Sequence, residues 1–281
     1  MPELPEVETI RRQLGEVLVG KEIEAIEVLR SKSFEGNTKE LVGKVIKGVS
    51  RKAKIMVVSF GEWEKCLMIH LKMTGQLIFW GKSRKIVGGH PTLDWVNELP
   101  SSHTRVVITF AGGDKLYFND MRVFGWIRLV TNKFAQTVFE NLPPDVTDAK
   151  FSERYLREKL KSTKAVKLII MDQEKIGGIG NIYANDALFL AGVRPNRPGK
   201  SLTKVETGKL YKAVRRVINL GIKLGGPSAS NYFDINGMGG SYQDHFLVYK
   251  RDGEKCEECG NMIKKMRLGG RGTFYCEVCQ V

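Results

Sequence analysis

Two Cys-x2-Cys pairs near the end of the chain, Cys256/Cys259 and Cys276/Cys279, are separated by 16 residues. Four thiolates at this spacing close a tetrahedron around Zn²⁺ and leave no position for water, so the implied metal is one structural zinc ion. That constrains residues 246–281 to fold as a metal-held unit. Between the pairs, Gly269-Gly270-Arg271-Gly272-Thr273-Phe274-Tyr275 reads as a β-hairpin with Arg271 at its tip. A rigid hairpin can aim one guanidinium at a phosphate. The fifth cysteine, Cys66, lies in an apolar strand run and reads as buried and inert. Such cysteine usage suits metal binding in a reducing cytoplasm better than a disulfide framework.

The charge balance narrows the partners. Lys and Arg total 45 against 31 Asp and Glu, a net charge of +14. An excess this large attracts polyanions, nucleic acid first among them; a merely basic surface and an anionic membrane are the other readings. No apolar run approaches the roughly 20 residues of a spanning helix. The start, MPELPEVETI, is acidic and unlike a secretory signal, so the expected location is the cytoplasm.

Hydrophobic periodicity changes along the chain. Residues 6–19 carry Val7, Ile10, Leu14 and Val17 at helical spacing before Gly20. The period then falls to two, with strands expected at 22–30, 44–50, 53–60, 65–72, 75–80, 104–110, 115–119 and 124–130. Residues 82–102 read as a long functional loop. After about residue 131 the pattern turns helical, with Pro143-Pro144 marking a hinge and helices expected at 152–162, 164–173, 181–192 and 204–224. Thr203-Lys204-Val205-Glu206 is a capping box for the last of these. Residues 225–245 are Gly-, Ser- and Asn-rich. The fold class is therefore α+β: a β-sandwich domain over 1–132, a hinge over 133–148, a helical domain with a loop over 149–245, and a zinc finger over 246–281.

Two further motifs carry chemistry with ordinary readings beside them. Gly177-Gly178-Ile179-Gly180-Asn181 opens a helix, where glycines let backbone N–H groups approach a phosphate; a helix-packing turn explains it equally well. Pro2-Glu3 would become a free secondary amine beside a carboxylate once Met1 is removed. An α-amino group titrates near about 7.7–8.0 and is partly a nucleophile at neutral pH. An acidic helix entrance explains the same residues.

Six segments in order resemble the formamidopyrimidine-DNA glycosylase family over nearly the whole chain: PELPEVE at the start, RKAK at 51–54, HLKMTG at 70–75, FNDMRVFG at 118–125, MDQEKIGGIGNIYANDALF at 171–189 and GGRGTFYCEVCQ at 269–280. Leu4 and Val7 also resemble this branch more than the related endonuclease VIII branch.

The resemblance implies a β-sandwich, a helix–two-turn–helix domain and a zinc hairpin, acting as a monomer on double-stranded DNA held in a cleft between the domains, in a bacterial cytoplasm. It implies base-excision repair by a bifunctional glycosylase/AP lyase acting on oxidised purines, 8-oxoguanine and formamidopyrimidines. Pro2 is then the nucleophile, Glu3 the acid/base, Lys54 an aid to proton transfer or phosphate positioning, and Arg271 the phosphate-binding tip that assists the second elimination. Met73, Arg122 and Phe124 fill the gap left by the flipped nucleotide. His103, Lys167 and Asn181 are DNA contacts, and Glu6 serves lesion recognition. No catalytic metal is implied.

Departures bear on base preference. Val123 replaces a common arginine, Lys72 adds a charge, and Asp186 stands where Glu is common. GGPSASNYFD at 225–234 differs from the usual loop, at Ser228, Ser230 and Asn231 among others. Oxidised pyrimidines or abasic sites are the second expectation for the substrate, and a non-catalytic lesion binder is the expectation if Met1 is retained.

Overall fold

The structure, a computed structural model, describes residues 2–82, 84–89, 98–227 and 240–281. Contacts divide the chain into two units, Met1–Asn141 with Gly225–Ser241, and Leu142–Leu224 with Tyr242–Val281. The loop at 225–245, expected with the helical domain, is thus divided between them.

The first unit opens with α1 (Leu4–Leu18), in which Leu4, Val7, Ile10, Leu14 and Leu18 form one buried stripe. Among the described residues ten strands follow: β1 (Ile23–Val28), β2 (Phe34–Glu35), β3 (Gly48–Lys52), β4 (Ile55–Ser59), β5 (Lys65–His70), β6 (Gly75–Trp80), β7 (Lys85–Gly89), β8 (Thr104–Phe110), β9 (Lys115–Asp120) and β10 (Trp126–Thr131). They make two five-stranded sheets, ordered β1-β8-β9-β6-β7 and β2-β10-β5-β4-β3. Leu77, Phe79, Val106 and Ile108 from one sheet meet Met56, Val58, Leu67 and Ile69 from the other in a shared core. The residues between them point outward, as period-two strands require; Ile78, Val107 and Tyr117 form a separate outer cluster. Helix α1 packs on β3 and β7, each the last strand of its sheet. Its stripe closes the sandwich edge, and each fully buried aliphatic side chain there is worth about 1.5–3 kcal/mol.

Strand β7 lies in the stretch expected to be a loop. Its KIVGG sequence reads as a turn because of the two glycines, yet Gly88 is a packing residue: a Cβ there would collide with Ile10 of α1. Residues 90–97 of that stretch, and the departures at Ser228, Ser230 and Asn231, lie outside the described residues. The expected hinge at 133–148 begins instead as a helix, α2 (Asn132–Asn141). Ala135, Val138 and Phe139 pack on Val57, Cys66 and Met68, covering the outer face of the second sheet. Pro143-Pro144 follows where the helix stops.

The second unit contains α3 (Glu153–Leu160), α4 (Val166–Ile170), α5 (Asn181–Leu190) and α6 (Lys204–Lys223), then the hairpin β11 (Lys264–Leu268) and β12 (Arg271–Tyr275). Thr203 and Glu206 cap α6 reciprocally, at 2.7 and 3.2 Å. Helix α5 packs on both α6 and β12, with Tyr183 against Gly221, where a side chain would have no room. Among the described residues, no helix is long and apolar enough to cross a membrane.

Candidate active site

At the N-terminus Pro2 and Glu3 are both buried. Glu3 is the N-cap of α1, and its backbone N–H donates to the Glu6 carboxylate at 2.5 Å. The Glu3 carboxylate accepts in turn from the Glu6 backbone, so the sequence Glu-x-x-Glu acts as a capping box. Glu6 also faces Gly226, where a Cβ would lie 2.7 Å from its carboxylate oxygen. That glycine lies in the 225–234 loop whose sequence departs from the usual one.

Further along α1, Glu8 accepts from Arg11 at 2.7 Å, Arg12 at 2.8 Å and Arg51 of β3 at 2.9 Å. Burial opposes its ionisation, but these three guanidiniums outweigh burial and hold the carboxyl down at about 2. Arg51 also donates to the Ala53 carbonyl at 3.2 Å. Ala53 has a positive φ of 50° in the tight β3–β4 turn, which carries the buried Lys54. Glu8 therefore ties the start of α1 to the Lys54 turn; Glu3 lies about 7.5 Å along the helix axis. His70 pairs with Ile55 just beyond that turn. Burial, with the charges of Lys72 and Lys54, holds its imidazole down at about 3, so the ring is neutral and its Nδ1 accepts from the Lys72 N–H at 2.9 Å.

The turns at 71–74, carrying Met73, and at 121–125, carrying Arg122 and Phe124, are joined through Thr74. The Thr74 hydroxyl donates to Asp120 and accepts from the Arg122 N–H at 3.1 Å. Phe124 is 48% exposed, and the Arg122 guanidinium lies over its ring at 4.7 Å. The exposed aromatic ring and the guanidinium thus form a cation–π pair at the surface. His103 is held beside them, its carbonyl accepting from the Asp120 N–H at 2.9 Å.

In the second unit Arg271 is exposed at the start of β12. Lys167, expected as a DNA contact, is fully buried. Its ammonium donates to the Gly272 carbonyl at 3.1 Å and the Thr273 hydroxyl at 2.7 Å, and Asn181 donates to the same carbonyl at 3.1 Å. Both thus grip the residue next to Arg271. Asn185 adds a further hold, accepting from the Phe274 N–H at 2.9 Å.

The four cysteine sulfurs all lie within 4.8 Å of one another, with Cys256–Cys279 at 3.8 Å and Cys259–Cys276 at 3.4 Å. Zn–S bonds of about 2.3 Å in a tetrahedron require sulfurs about 3.8 Å apart, so the donor set fits structural zinc. Gln280 braces the second knuckle, its side chain accepting from Cys276 N–H and donating to the Val193 carbonyl, each at 2.9 Å.

Three stretches of the chain match known family domains. The formamidopyrimidine-DNA glycosylase N-terminal domain matches residues 1–127, the H2TH domain of that glycosylase residues 142–232, and the zinc finger found in FPG and IleRS residues 253–281. The chain belongs to the formamidopyrimidine-DNA glycosylase family. The formamidopyrimidine-DNA glycosylase of Desulfitobacterium hafniense (strain DSM 10664 / DCB-2) is 36% identical over 290 residues, covering 100% of both chains. That of Lactococcus lactis subsp. lactis (strain IL1403) is 36% identical over 287 residues, covering 100% of this chain and 99% of its own. Among solved structures, a mutant Lactococcus lactis FPG with Fapy-dG-containing DNA aligns at a TM-score of 0.87, 34% identity and 99% coverage of each chain. The Lactococcus lactis Fpg with abasic-site DNA aligns at 0.87 with 33% identity and the same coverage.

For a member of this glycosylase family, sequence reading did not single out the side chains that hold these segments in place. Glu8, Arg51, Thr74, Asp120 and Asn185 all lay unremarked. Asp120 carried a usable signal: an acidic residue opening a turn, with N–H donors two to five residues on, is an Asx-type arrangement. Glu8 carried one too, since it lies beside Val7 at the edge of the buried stripe.

Proposed function

We propose that the chain is a bifunctional DNA glycosylase/AP lyase of base-excision repair, removing oxidised purines from double-stranded DNA through an N-terminal proline Schiff base. The full-length family match carries this reading, and the buried Pro2–Glu3 start of a helix that Glu8 and Arg51 tie to the Lys54 turn supports it. The target nucleotide leaves the stack, because its anomeric carbon is inaccessible within it. With Met1 removed, the Pro2 nitrogen lone pair bonds to that carbon as the base departs with a proton. Glu3 protonates the ring oxygen, the sugar opens and an iminium forms. The iminium acidifies the adjacent carbon; loss of its proton expels the 3′ phosphate, and a second elimination expels the 5′ phosphate. Water then releases Pro2 as the free amine.

Lys54 assists proton transfer or orients a phosphate. Met73 and Phe124 occupy the vacated space, and Arg122 reads the orphaned cytosine by hydrogen bonds. His103 contacts the backbone and Glu6 the lesion side. In the second unit Arg271 binds backbone phosphate, with Lys167 and Asn181 setting its hairpin. Zinc, held by Cys256, Cys259, Cys276 and Cys279, supplies rigidity and takes no part in the reaction. All five cysteines are free of disulfides, which suits the cytoplasm of a bacterium, the source of the relatives.

Borohydride trapping tests the nucleophile. On an oligonucleotide with one 8-oxoguanine opposite cytosine, the adduct is expected on Pro2 by peptide mapping. Glu3→Gln should lose base excision yet still trap on a preformed abasic site, which needs no base departure. An adduct on Lys54 in protein lacking Met1 would reassign the nucleophile. No adduct on any substrate with a free proline would leave a non-catalytic binder.

A further inference from the structure

The three side chains read as gap fillers come from two turns separated by more than forty residues, and one carboxylate joins those turns. Asp120 is fully buried at the end of β9. Its Oδ1 accepts from the Thr74 hydroxyl and from the Arg122 N–H at 3.2 Å. Its Oδ2 accepts from the Phe124 N–H at 2.8 Å and the Gly125 N–H at 2.7 Å. Its backbone carbonyl accepts from Arg105 at 2.8 Å, while its N–H holds the carbonyl of His103.

Both turns need such a hold. Each contains a non-glycine residue at positive φ, Lys72 at 50° and Val123 at 53°. For a β-branched valine this conformation is costly and persists only when surrounding contacts impose it. Gly125 shows how tightly the second turn is drawn in: a Cβ there would lie 2.8 Å from the Phe118 ring and 3.1 Å from Asp120 Oδ2. The Thr74 hydroxyl bridges the two turns, donating to Asp120 and accepting from the Arg122 N–H.

We propose that Thr74 and Asp120 are positioning residues that lock the Met73 turn to the Arg122–Phe124 turn, so that reading of the opposite base depends on a hydroxyl that itself contacts no DNA. This rests on the reading of Met73, Arg122 and Phe124 given above. Removing the hydroxyl leaves the carboxylate with its backbone donors but lets the first turn shift against the second. Base discrimination then falls, because hydrogen-bond readout tolerates little displacement of Arg122.

The test uses the full chain with zinc bound. The ratio of kcat/KM for 8-oxoguanine opposite cytosine to that opposite adenine is measured for wild type, Thr74→Val, Thr74→Ser and Arg122→Ala. Fluorescence of 2-aminopurine beside the orphaned cytosine reports filling of the gap. Thr74→Val should lower the ratio about tenfold and weaken the fluorescence change, the scale expected for a lost hydrogen bond to a charged group. Thr74→Ser, which keeps donor and acceptor, should restore both. If the valine variant does not fold, Thr74→Ala answers the same question. A lowered ratio in Arg122→Ala with wild-type ratio and fluorescence in Thr74→Val overturns the lock alone. A uniform loss of rate in Thr74→Val, with both readouts unchanged, also overturns it. An unchanged ratio in Arg122→Ala overturns the reading of the site and the lock together.

Discussion

Glu8 in the first unit sits among Arg11, Arg12 and Arg51; Asp186 in the second sits among uncharged donors. Both carboxylates are buried and both fasten separate segments. Glu8 joins α1 to β3 and is held down at about 2 by its guanidiniums. Asp186 joins α5 to the 242–249 segment, accepting from the Val248 N–H at 3.1 Å, the Tyr249 N–H at 3.2 Å and the Tyr242 hydroxyl at 3.2 Å. There burial prevails over those bonds and pushes the carboxyl up to about 6. A buried carboxylate is thus a charged clamp where cations meet it and a group poised to take up a proton where only dipoles do. The first unit adds its clamp to a large two-sheet core. The second places Asp186 next to a small cluster of Phe189, Val248, Ile263, Phe274 and the cysteines themselves.

That contrast predicts where the molecule breaks most completely. The small cluster cannot hold the hairpin alone, since apparent zinc affinities in comparable fingers reach about 10–16 kcal/mol and the folding of such fingers depends on them. Cys259→Ser should therefore lose the metal, disorder β11 and β12 and release Arg271. Affinity for duplex DNA should drop by roughly a hundredfold as phosphate contacts are lost. Elemental analysis follows the zinc. All four tryptophans, Trp63, Trp80, Trp95 and Trp126, fall within residues 1–141 of the sequence, so their fluorescence should be unchanged. A metal-free variant that binds DNA like wild type would show that the hairpin stands without its ion.

Glu8→Gln comes next in size. The amide keeps the volume but leaves three guanidiniums without their shared counter-charge. Allowing for the partly exposed arginines, the loss should be about 2–3 kcal/mol by urea unfolding followed through tryptophan fluorescence. Loosening the Arg51–Ala53 contact should also slow Schiff-base trapping. The pH dependence has a definite sign. The folded carboxyl lies near 2 against an ordinary 4.5. Its contribution is complete above the ordinary value and is lost as pH falls from there toward the folded one. Wild type should lose this increment in acid and Glu8→Gln should not; equal acid sensitivity would remove Glu8 from the account.

These two predictions differ in how visible their residues were in the sequence. The zinc ligands were legible because Cys-x2-Cys is a local spacing with one common meaning. The α1 stripe and most strands were legible from period, since burial repeats at 3.6 or two residues. Glu8–Arg51 spans 43 positions, Thr74–Asp120 spans 46 and Asp186–Val248 spans 62. No periodicity encodes such pairings, and one sequence does not reveal which distant partner a buried acid will find. Lys167 was misplaced for the same reason. Lys167 is a lone cation in the apolar run Ala165–Met171, and only the fold puts Gly272 and Thr273 within its reach. Helix α2 and strand β7 escaped because Pro143-Pro144 and Gly88-Gly89 are breakers in isolation but serve here as a stop and a packing contact.

Asp186→Asn has the smallest expected effect and the opposite sign. The folded carboxyl titrates at about 6, above its ordinary 3.8, so the folded state binds the proton more tightly than the unfolded chain does. Stability is then highest in acid and falls as pH rises between those two values. The full shift corresponds to an upper bound of about 3 kcal/mol. Asparagine matches the acid in size, its oxygen can still accept from Val248 and Tyr249, and its amide can donate to the Tyr242 oxygen. With no charge to bury, it should stabilise the second unit by about 1–2 kcal/mol at pH 8 and by nearly nothing at pH 4. Seven of the eight tyrosines lie outside residues 1–141. Near-ultraviolet circular dichroism of tyrosine in chemical unfolding therefore reports chiefly on the region around Asp186, while tryptophan fluorescence tracks the first unit and should not move. A loss of stability at pH 8 would mean that the ionised Asp186 makes stronger bonds to Val248, Tyr249 and Tyr242 than its burial costs. The two carboxylates would then be clamps of one kind, and the contrast with Glu8 would fail.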